Sequence, residues 1–177
     1  MDKPCLIAMA GLPGSGKSAL AARLSVALPA VILNKDTVRA ALFPPQEIEY
    51  SSAQDDFVLS LIYQTAAYLI HKGRHVIIDG RPFVRREQRI ELMRAAATAG
   101  ADLRIILCTA PDDVVRLRLE KDAAAGTHPA ADRDFNLYLR KKAEMEPFDE
   151  EPHLELDTND SLDTLTHQVL DWLNIKI

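Results

Sequence analysis

The chain of 177 residues is long enough for one well-filled hydrophobic core and short for two. Hydrophobic residues make up 47% of it and charged residues 27%, which is ordinary globular composition, and no apolar run reaches the length of a membrane span. The net charge of −5 argues against a protein that binds nucleic acid duplexes. Because the N-terminus carries no leader-like segment, we expect a single cytoplasmic domain over residues 1–177.

Strand-like and helical stretches alternate from the N-terminus onward, as judged by the spacing of apolar residues. Such alternation is typical of an α/β fold, a parallel sheet with helices on both faces. Cys5 and Cys108 each lie in an apolar strand-like run, so we expect core residues rather than a disulfide or a metal pair. The predicted strands are residues 5–10, 30–33, 75–79, 103–109 and 153–157, and the predicted helices are 19–27, 36–42, 52–71, 85–99, 112–124, 132–144 and 161–173.

Residues 11–18, between the first strand and the first helix, read G-x-x-x-x-G-K-S, the phosphate-binding loop. The three glycines of this loop allow positive φ and a close approach of the backbone to an anion. Main-chain N–H groups at the start of the following helix then face nucleotide phosphates. Lys17 can reach the β- and γ-phosphates, and the Ser18 hydroxyl can ligate Mg²⁺. The predicted nucleotide-binding residues are Gly11, Leu12, Pro13, Gly14, Ser15, Gly16, Lys17, Ser18 and Ala19.

Two carboxylates follow neighbouring strand-like runs. Ligands of parallel α/β sheets bind at the carboxyl ends of the strands, so Asp36, after the second strand, and Asp79, at the end of the third, are expected near the γ-phosphate. Asp36 suits accepting a proton from an acceptor hydroxyl, and Asp79 suits binding Mg²⁺ or substrate. The alternative is that each carboxylate only caps the adjacent helix or strand end. Arg39 shares a helical face with Asp36 and can bind an anionic substrate or orient Asp36.

The segment of residues 123–131 contains Gly and Pro and separates two predicted helices. It is typical of a lid over a nucleotide site, here residues 116–135, and equally of an ordinary surface turn. Phosphoryl transfer needs cations close to the transferred phosphoryl group in addition to the loop lysine. Arg118 and Arg133 are the favoured catalytic candidates, and the alternative for both is a surface cation. Arg116 lies two residues from Arg118, so at most one of the pair faces the site.

Further residues are candidates for contact with a phosphate acceptor. Tyr50 and Phe43 flank the loop before the long helix and can line an acceptor pocket, or else pack at its rim. Arg81 lies two residues beyond Asp79 and can reach a substrate anion. The predicted acceptor-binding residues are Asp36, Arg39, Tyr50, Asp79 and Arg81.

Other charged residues of these segments have an ordinary structural interpretation. Asp55 and Asp56 lie near the start of the long helix, where the helix dipole favours negative charge. Arg85, Arg86 and Arg89 are expected on the solvated face of a helix.

The phosphate loop, residues 34–39 with the sequence N-K-D-T-V-R, and the strand that ends in Asp79 together resemble the small P-loop kinases. Within that group the chain is similar to phage-type polynucleotide 5′-kinase domains, chloramphenicol phosphotransferase and gluconate kinase, and more loosely to adenylylsulfate kinase. The resemblance implies a parallel sheet of order 2-3-1-4-5, ATP with Mg²⁺, and transfer of the γ-phosphate to a hydroxyl. It also implies Asp36 as the general base, Arg39 as a substrate contact and Asp79 as the aspartate of strand three.

The chain departs from the family pattern after the third strand, where residues 79–82 read D-G-R-P instead of the family's polar residues. This departure argues against a nucleic-acid acceptor and favours a different, anionic small substrate. Glu146, Pro147 and Glu150 match a recurring family feature, for which we expect a structural role.

The leading hypothesis is an ATP-dependent kinase for a small hydroxyl-bearing molecule, with Asp36 as the general base. ATP, Mg²⁺ and that acceptor are the expected ligands, and neither a membrane nor a nucleic acid is expected as a partner. One alternative is a nucleic-acid or nucleotide-sugar 5′-kinase of the toxin type, although the lack of a basic groove with interleaved aromatic residues weighs against a polynucleotide acceptor. Another is an ATP-binding switch module that hydrolyses ATP slowly and acts on a partner protein.

Overall fold

Strands and helices alternate along the chain in the computed structural model, which describes residues 4–125, 134–148 and 151–174. The strands are β1 (Cys5–Ala10), β2 (Val31–Asn34), β3 (Val76–Asp79), β4 (Asp102–Thr109) and β5 (His153–Asp157). The helices are α1 (Lys17–Ala27), α2 (Lys35–Leu42), α3 (Ser52–His71), α4 (Arg86–Thr98), α5 (Asp112–Ala125), α6 (Phe135–Ala143) and α7 (Leu162–Trp172), with a short 3₁₀ helix at Pro45–Glu47. The element order predicted from the sequence is confirmed for this part of the chain.

The strands form a parallel five-stranded sheet of order β2-β3-β1-β4-β5, as predicted. The central strand β1 pairs with β3 and β4, so Leu6 lies opposite both Val76 and Leu103. At the edge, Asn34 of β2 lies opposite Asp79 of β3. Because all strands run the same way, the residues that follow β1, β2 and β3 meet at one edge of the sheet.

Both faces of the sheet are covered, and the core therefore has two layers. Val58, Ile62 and Leu92 of α3 and α4 pack against one face. Leu24 of α1 and Val169 of α7 pack against the other. Every residue of β1 is buried, which explains why this strand reads as a continuous apolar run instead of an alternating one.

Both cysteines are buried core residues, as the sequence predicted. Cys5 and Cys108 belong to the layer of core residues under α1 and α7. Burial raises the pKa of the Cys108 thiol to about 12, so the thiolate form is disfavoured at neutral pH. Within the described residues, no helix is both long and apolar enough to cross a membrane.

Helices α5 and α6 pack near the phosphate loop through a small separate cluster of buried side chains. Val115 and Leu119 of α5 meet Tyr138 of α6, Leu12 of the loop and Val84. Much of the predicted lid, including Arg133, lies outside the described residues, so the expectation of a catalytic lid cation at that position stays a prediction.

Arg89 of α4 is buried, and the expectation that it lies on a solvated helix face was wrong. Its Nε donates to Glu151 at 2.8 Å, its Nη2 donates to the Pro147 carbonyl at 2.7 Å, and its guanidinium carbon lies 4.1 Å from the centroid of the Phe148 ring. The segment before β5 folds over the start of α4 and takes the arginine out of solvent. A helical face whose cover comes from 58 to 62 residues away in sequence cannot be recognised from local pattern.

Glu146 has the structural contacts expected of it. Its backbone N–H donates to the Val84 carbonyl at 2.9 Å, and its carboxylate accepts from the backbone N–H of Arg86. The segment after α6 is thereby attached to the start of α4. Glu150, the other acidic residue of the family feature, lies outside the described residues.

Candidate active site

The loop between β1 and α1 has the backbone conformation predicted for a phosphate cradle. Gly11, Gly14 and Gly16 have φ values of 128°, 76° and 80°. A Cβ on Gly11 would lie 2.2 Å from the Cys108 carbonyl oxygen, and one on Gly14 would lie 2.9 Å from Val115 Cγ1. Glycine is therefore required at these two positions both by backbone angle and by space.

Lys17 lies across this loop as the first residue of α1 and is buried. Its Nζ donates to the Leu12 carbonyl at 2.7 Å and to Ser15 Oγ at 3.3 Å. The ammonium is thus held inside the cradle, where it can meet an anion. Ser18 follows it, and its side chain is exposed at the N-terminus of α1, where the helix dipole favours a phosphate group.

Thr158, the residue directly after β5, supports the loop, and sequence reasoning missed it. Its hydroxyl oxygen lies 2.9 Å from the Ser15 carbonyl oxygen and 3.0 Å from the Thr109 carbonyl oxygen. Its backbone N–H also donates to Thr109 at 2.8 Å. The available signal was its place directly after β5, at the same sheet edge as the other candidates.

Arg118 also contacts this support. Its Nη1 donates to the Thr158 hydroxyl at 2.9 Å and to the Gly14 carbonyl at 3.4 Å, and its Nη2 donates to the Thr158 carbonyl at 2.7 Å. The guanidinium of Arg116, by contrast, stacks 4.0 Å from the centroid of the Phe135 ring. Only one of these two arginines contacts the phosphate loop, as their spacing predicted.

Asp36 is not the cap of the helix that it opens. Asn34 caps α2, since its Oδ1 accepts from the backbone N–H groups of Asp36 and Thr37, both at 3.0 Å. The capping alternative for Asp36 was therefore wrong. Its carboxylate instead accepts from Arg39 Nη1 at 3.0 Å, one helical turn away, and remains partly exposed. The side chain is oriented by an ion pair and is accessible from solvent.

Asp79 ends β3 and is 1% exposed. Its Oδ2 accepts from Asn34 Nδ2 at 2.9 Å, across the β2–β3 pair. Its Oδ1 is buried and has no hydrogen-bond partner in the part of the chain that the structure describes. A buried carboxylate oxygen without a donor is costly, so this atom is suited to a ligand that brings a cation or a hydroxyl.

A second ion-pair partner of Arg39 comes from α3. Arg39 Nη2 contacts the Asp55 carboxylate, and Lys35 Nζ donates to the same carboxylate at 2.7 Å. Burial lowers the pKa of Lys35 to about 8, with the carboxylate of Asp36 opposing that shift. The helix dipole accounts for Asp55 only in part, because this residue also joins α3 to α2.

Tyr50 lies beside the Asp36–Arg39 pair. The Arg39 guanidinium carbon is 5.1 Å from the centroid of the Tyr50 ring, and this side chain is exposed. Phe43 instead packs edge-on against Phe57, with ring centroids 6.0 Å apart. The aromatic ring positioned to meet an acceptor is therefore that of Tyr50, and its assignment as a substrate contact stays a prediction.

Arg81, between β3 and α4, contacts side chains of two helices. Its Nη1 donates to Glu91 of α4 at 3.3 Å, and its Nη2 lies 3.6 Å from Asp56 of α3. A cavity of about 350 Å³ lies between α3 and α4 next to it, a volume at the lower end of small-molecule pockets. The cavity is lined by Asp56, Leu59, Ser60, Tyr63, Arg81, Glu91, Arg94, Ala95 and Thr98.

A protein-family model described as an AAA domain matches residues 6–145 of the chain. The chain belongs to this family. The matched residues include the phosphate loop, Asp36, Asp79 and Arg118. No curated protein sequence matches the chain at a significant level.

Solved structures that share the fold include several kinases. A protein from Chloroflexus aurantiacus J-10-fl, provisionally named as a kinase, is 23% identical with a TM-score of 0.77, and the match covers 96% of this chain and 98% of that one. The Mycobacterium tuberculosis APS kinase CysC, solved in complex with AMPPNP and APS, is 25% identical with a TM-score of 0.73 and coverage of 98% and 99%. A gluconokinase from Sinorhizobium meliloti 1021 is 18% identical with a TM-score of 0.71 and coverage of 98% and 94%. The chain thus has the fold of kinase-like P-loop NTPases.

Proposed function

We propose that this protein is an ATP-dependent kinase that transfers the γ-phosphate of ATP to a hydroxyl of a small molecule. The observation that carries the proposal is the contact of Asp79 with Asn34, two residues before Asp36, at the carboxyl ends of the adjacent strands β2 and β3. Since Asn34 caps α2, the Asp36 carboxylate is left for chemistry. A phosphate cradle alone is shared by switches and hydrolases, whereas an accessible base next to it suits transfer to an alcohol.

The nucleotide is proposed to bind with its phosphates on residues 11–19. The left-handed glycines turn the loop, and the Lys17 ammonium lies within it, so β- and γ-phosphate oxygens would meet both backbone donors and a fixed cation. The M. tuberculosis APS kinase with which the chain shares its fold was solved with AMPPNP, a nucleotide. ATP as co-substrate is consistent with the cytoplasmic location that we propose.

Mg²⁺ is proposed to be held by the Ser18 hydroxyl and the Asp79 carboxylate. The residues fit the ion, because Asp79 Oδ1 is a buried oxygen without a donor and Ser18 is exposed at the start of α1. In the described ranges, no group of three or more His, Cys, Asp or Glu side chains is arranged to hold a metal. This suits an ion that takes one or two protein ligands and completes its shell with phosphates and water. When bound, such an ion supplies charge neutralisation on the phosphates.

Asp36 is proposed as the general base. Its carboxylate takes the proton of the acceptor hydroxyl while the acceptor oxygen bonds to the γ-phosphorus and the bond from that phosphorus to the β,γ-bridging oxygen breaks. Arg39 holds the carboxylate from one side and Tyr50 lies over Arg39, so acceptor and base are both oriented from α2 and the loop after it. The products are the phosphorylated alcohol and ADP.

We assign to Lys17 the task of stabilising negative charge on the phosphoryl group during transfer. Arg118 and Arg133, in the lid at residues 116–135, are further candidates for this task. Arg118 is attached to the loop at Gly14 and to Thr158, which supports a role close to the nucleotide. Electrostatic stabilisation of this kind depends on cations whose positions are set before the reaction. Arg81 is assigned to the acceptor side.

The test of the proposed function is phosphate transfer by the purified chain with Mg²⁺ and γ-labelled ATP. The acceptor panel includes sugars, sugar acids, amino sugars, nucleosides, hydroxylated antibiotics and a 5′-hydroxyl oligonucleotide. We expect label transfer to one class of small alcohol and none to the oligonucleotide. Slow ATP hydrolysis that no acceptor stimulates would contradict the proposal and favour a nucleotide-dependent switch.

A further inference from the structure

Three buried cations lie on the acceptor side of the site: Lys35, Arg39 and Arg81. A cation in such a position can bind the carboxylate, sulfate or phosphate group of a substrate through charge-assisted hydrogen bonds. Whether it can do so depends on what already holds it. In this chain each of the three forms an ion pair with a carboxylate of α2, α3 or α4.

Asp55 occupies two of these cations at once. It lies 2.7 Å from Lys35 Nζ and also contacts Arg39 Nη2, while Arg39 Nη1 is held by Asp36 at 3.0 Å. The Asp55 side chain is 31% exposed, against 10% for Lys35 and 2% for Arg39. The Asp55 carboxylate is thus the most exposed member of the cluster, and the two cations are more buried than it is.

Arg81 repeats this arrangement. Its side chain is 9% exposed, whereas its partners Asp56 and Glu91 are 63% and 48% exposed. With Asp36, four carboxylates form ion pairs with three cations on this side of the site. Arg94, which lines the same cavity as Arg81, is exposed instead of buried.

We propose that Asp55 sets the charge class of the acceptor: it occupies Lys35 and Arg39, so that the kinase accepts an alcohol without a negative charge and rejects carboxylate, sulfate and phosphate esters. This inference rests on the proposed function and names its substrate class. An acidic acceptor would have to displace Asp55 from both cations or approach an excess of carboxylates, and either route costs electrostatic free energy at short range. The expectation that Arg81 attracts an anionic substrate is replaced by this one.

The test uses sulfate as a probe of available cations, because it needs no knowledge of the acceptor. Side-chain ¹⁵N signals of Lys35 and Arg39 are followed by NMR in the full chain with Mg²⁺ and a non-hydrolysable ATP analogue. Sodium sulfate is added at constant ionic strength, balanced with chloride. Wild type is compared with Asp55→Asn and with the matched control Asp56→Asn, which makes the same change one residue along α3.

We expect sulfate to shift the two signals saturably only in Asp55→Asn, with an affinity at least about tenfold above that of wild type, since a carboxylate beside two cations has been removed. Equal sulfate binding at Lys35 and Arg39 in wild type would overturn the inference, and so would an Asp55→Asn protein that binds no better. If Asp55→Asn does not fold, the double variant Lys35→Met/Asp55→Asn is used instead. It removes one of the two cations that lose their carboxylate, and Arg39 remains as the reporter of sulfate binding.

A second measurement uses activity. Glucose, glucosamine and gluconate are compared as acceptors, and then each hydroxyl acceptor found active is compared with its carboxylate analogue. We expect kcat/KM for the uncharged or aminated member to exceed that for the acid, and Asp55→Asn, but not Asp56→Asn, to reduce that ratio. A wild-type preference for the acid would overturn the inference. If no acceptor is phosphorylated, the proposed function fails, and the sulfate titration still decides the role of Asp55.

Discussion

Asn34 caps helix α2, and the Asp36 carboxylate is therefore not needed as the cap. The amide oxygen of Asn34 caps α2 and its Nδ2 holds Asp79, while the Asp36 carboxylate faces Arg39. An aspartate used as a cap would spend its oxygens on backbone N–H groups and be a poorer base. In the proposed function, this arrangement is what distinguishes a phosphoryl-transfer site from a bare phosphate cradle.

We predict that Asp36→Asn lowers kcat by about 10²–10⁴-fold, the range typical of a lost general base, with a smaller change in KM. The amide can still accept from Arg39, so the fold should persist. The measurement is steady-state transfer with the acceptor found in the panel. Asp163→Asn, an exposed acid on α7, serves as the control. Full activity of a folded Asp36→Asn protein would remove Asp36 from the role of base.

Lys35 gives a prediction about pH. Its pKa is about 8 in the folded chain and 10.5 when unperturbed, so below pH 8 both states carry the charge and its burial fully opposes folding. Between pH 8 and 10.5 the unfolded state binds more protons than the folded one, and that cost is relieved. The unfolding free energy of wild type minus that of Lys35→Met should therefore rise with pH across this interval, by about 1–3 kcal/mol.

Chemical denaturation of both proteins at several pH values measures this difference. Groups that titrate in both chains cancel, so the remaining slope belongs to Lys35. Below pH 7 the difference is expected to be flat. A difference that stays constant up to pH 10, or falls, would contradict a lowered pKa for this lysine.

At the scale of elements, Thr158 joins β4, β5, α5 and the phosphate loop. One hydroxyl lies within hydrogen-bond distance of Ser15, Thr109 and Arg118. Glycines lose more conformational entropy than other residues when a loop becomes ordered. Hydrogen bonds of this type hold such a loop in one conformation before the ligand binds. The support comes from the end of β5, so sheet order decides which residue provides it.

We predict that Thr158→Val raises the KM for ATP several-fold and lowers stability by about 1–2 kcal/mol, because buried partners lose a hydrogen bond. Thr109→Val is the matched control, because the Thr109 hydroxyl donates to the Leu156 carbonyl at 3.2 Å and not to the phosphate loop. ATP titration and thermal melting measure the two effects. An equal rise in KM for both variants would contradict a specific role for Thr158.

At the scale of the whole molecule, the buried pair of Arg89 and Glu151 attaches the segment after α6 to α4. Their side chains are 1% and 4% exposed. Removing one member of a buried pair leaves an uncompensated charge, so we predict that Arg89→Met costs about 3–5 kcal/mol of unfolding free energy. Arg104→Met, which breaks the partly exposed pair with Asp102, should cost about 1 kcal/mol or less.

Urea denaturation of the two variants tests this contrast. Arg89→Met with Glu151→Met removes both charges and should recover part of the loss, since a buried pair can often be replaced by apolar side chains. Equal, small losses for Arg89→Met and Arg104→Met would show that burial of the first pair contributes little.

The sequence by itself determined the fold and predicted the position of the candidate site. Apolar spacing is a local property that predicts each strand and helix, and the phosphate loop is contiguous in sequence. Because the strands are parallel, Asp36 and Asp79 then lie at the same edge of the sheet as this loop. Tertiary structure decided which neighbours those residues have. Asp55 meets Lys35 and Arg39 from 16 to 20 residues away, and Thr158 meets Ser15 from 143 away. Such pairs depend on how each helix is rotated against the sheet, and packing of the complete core sets that rotation.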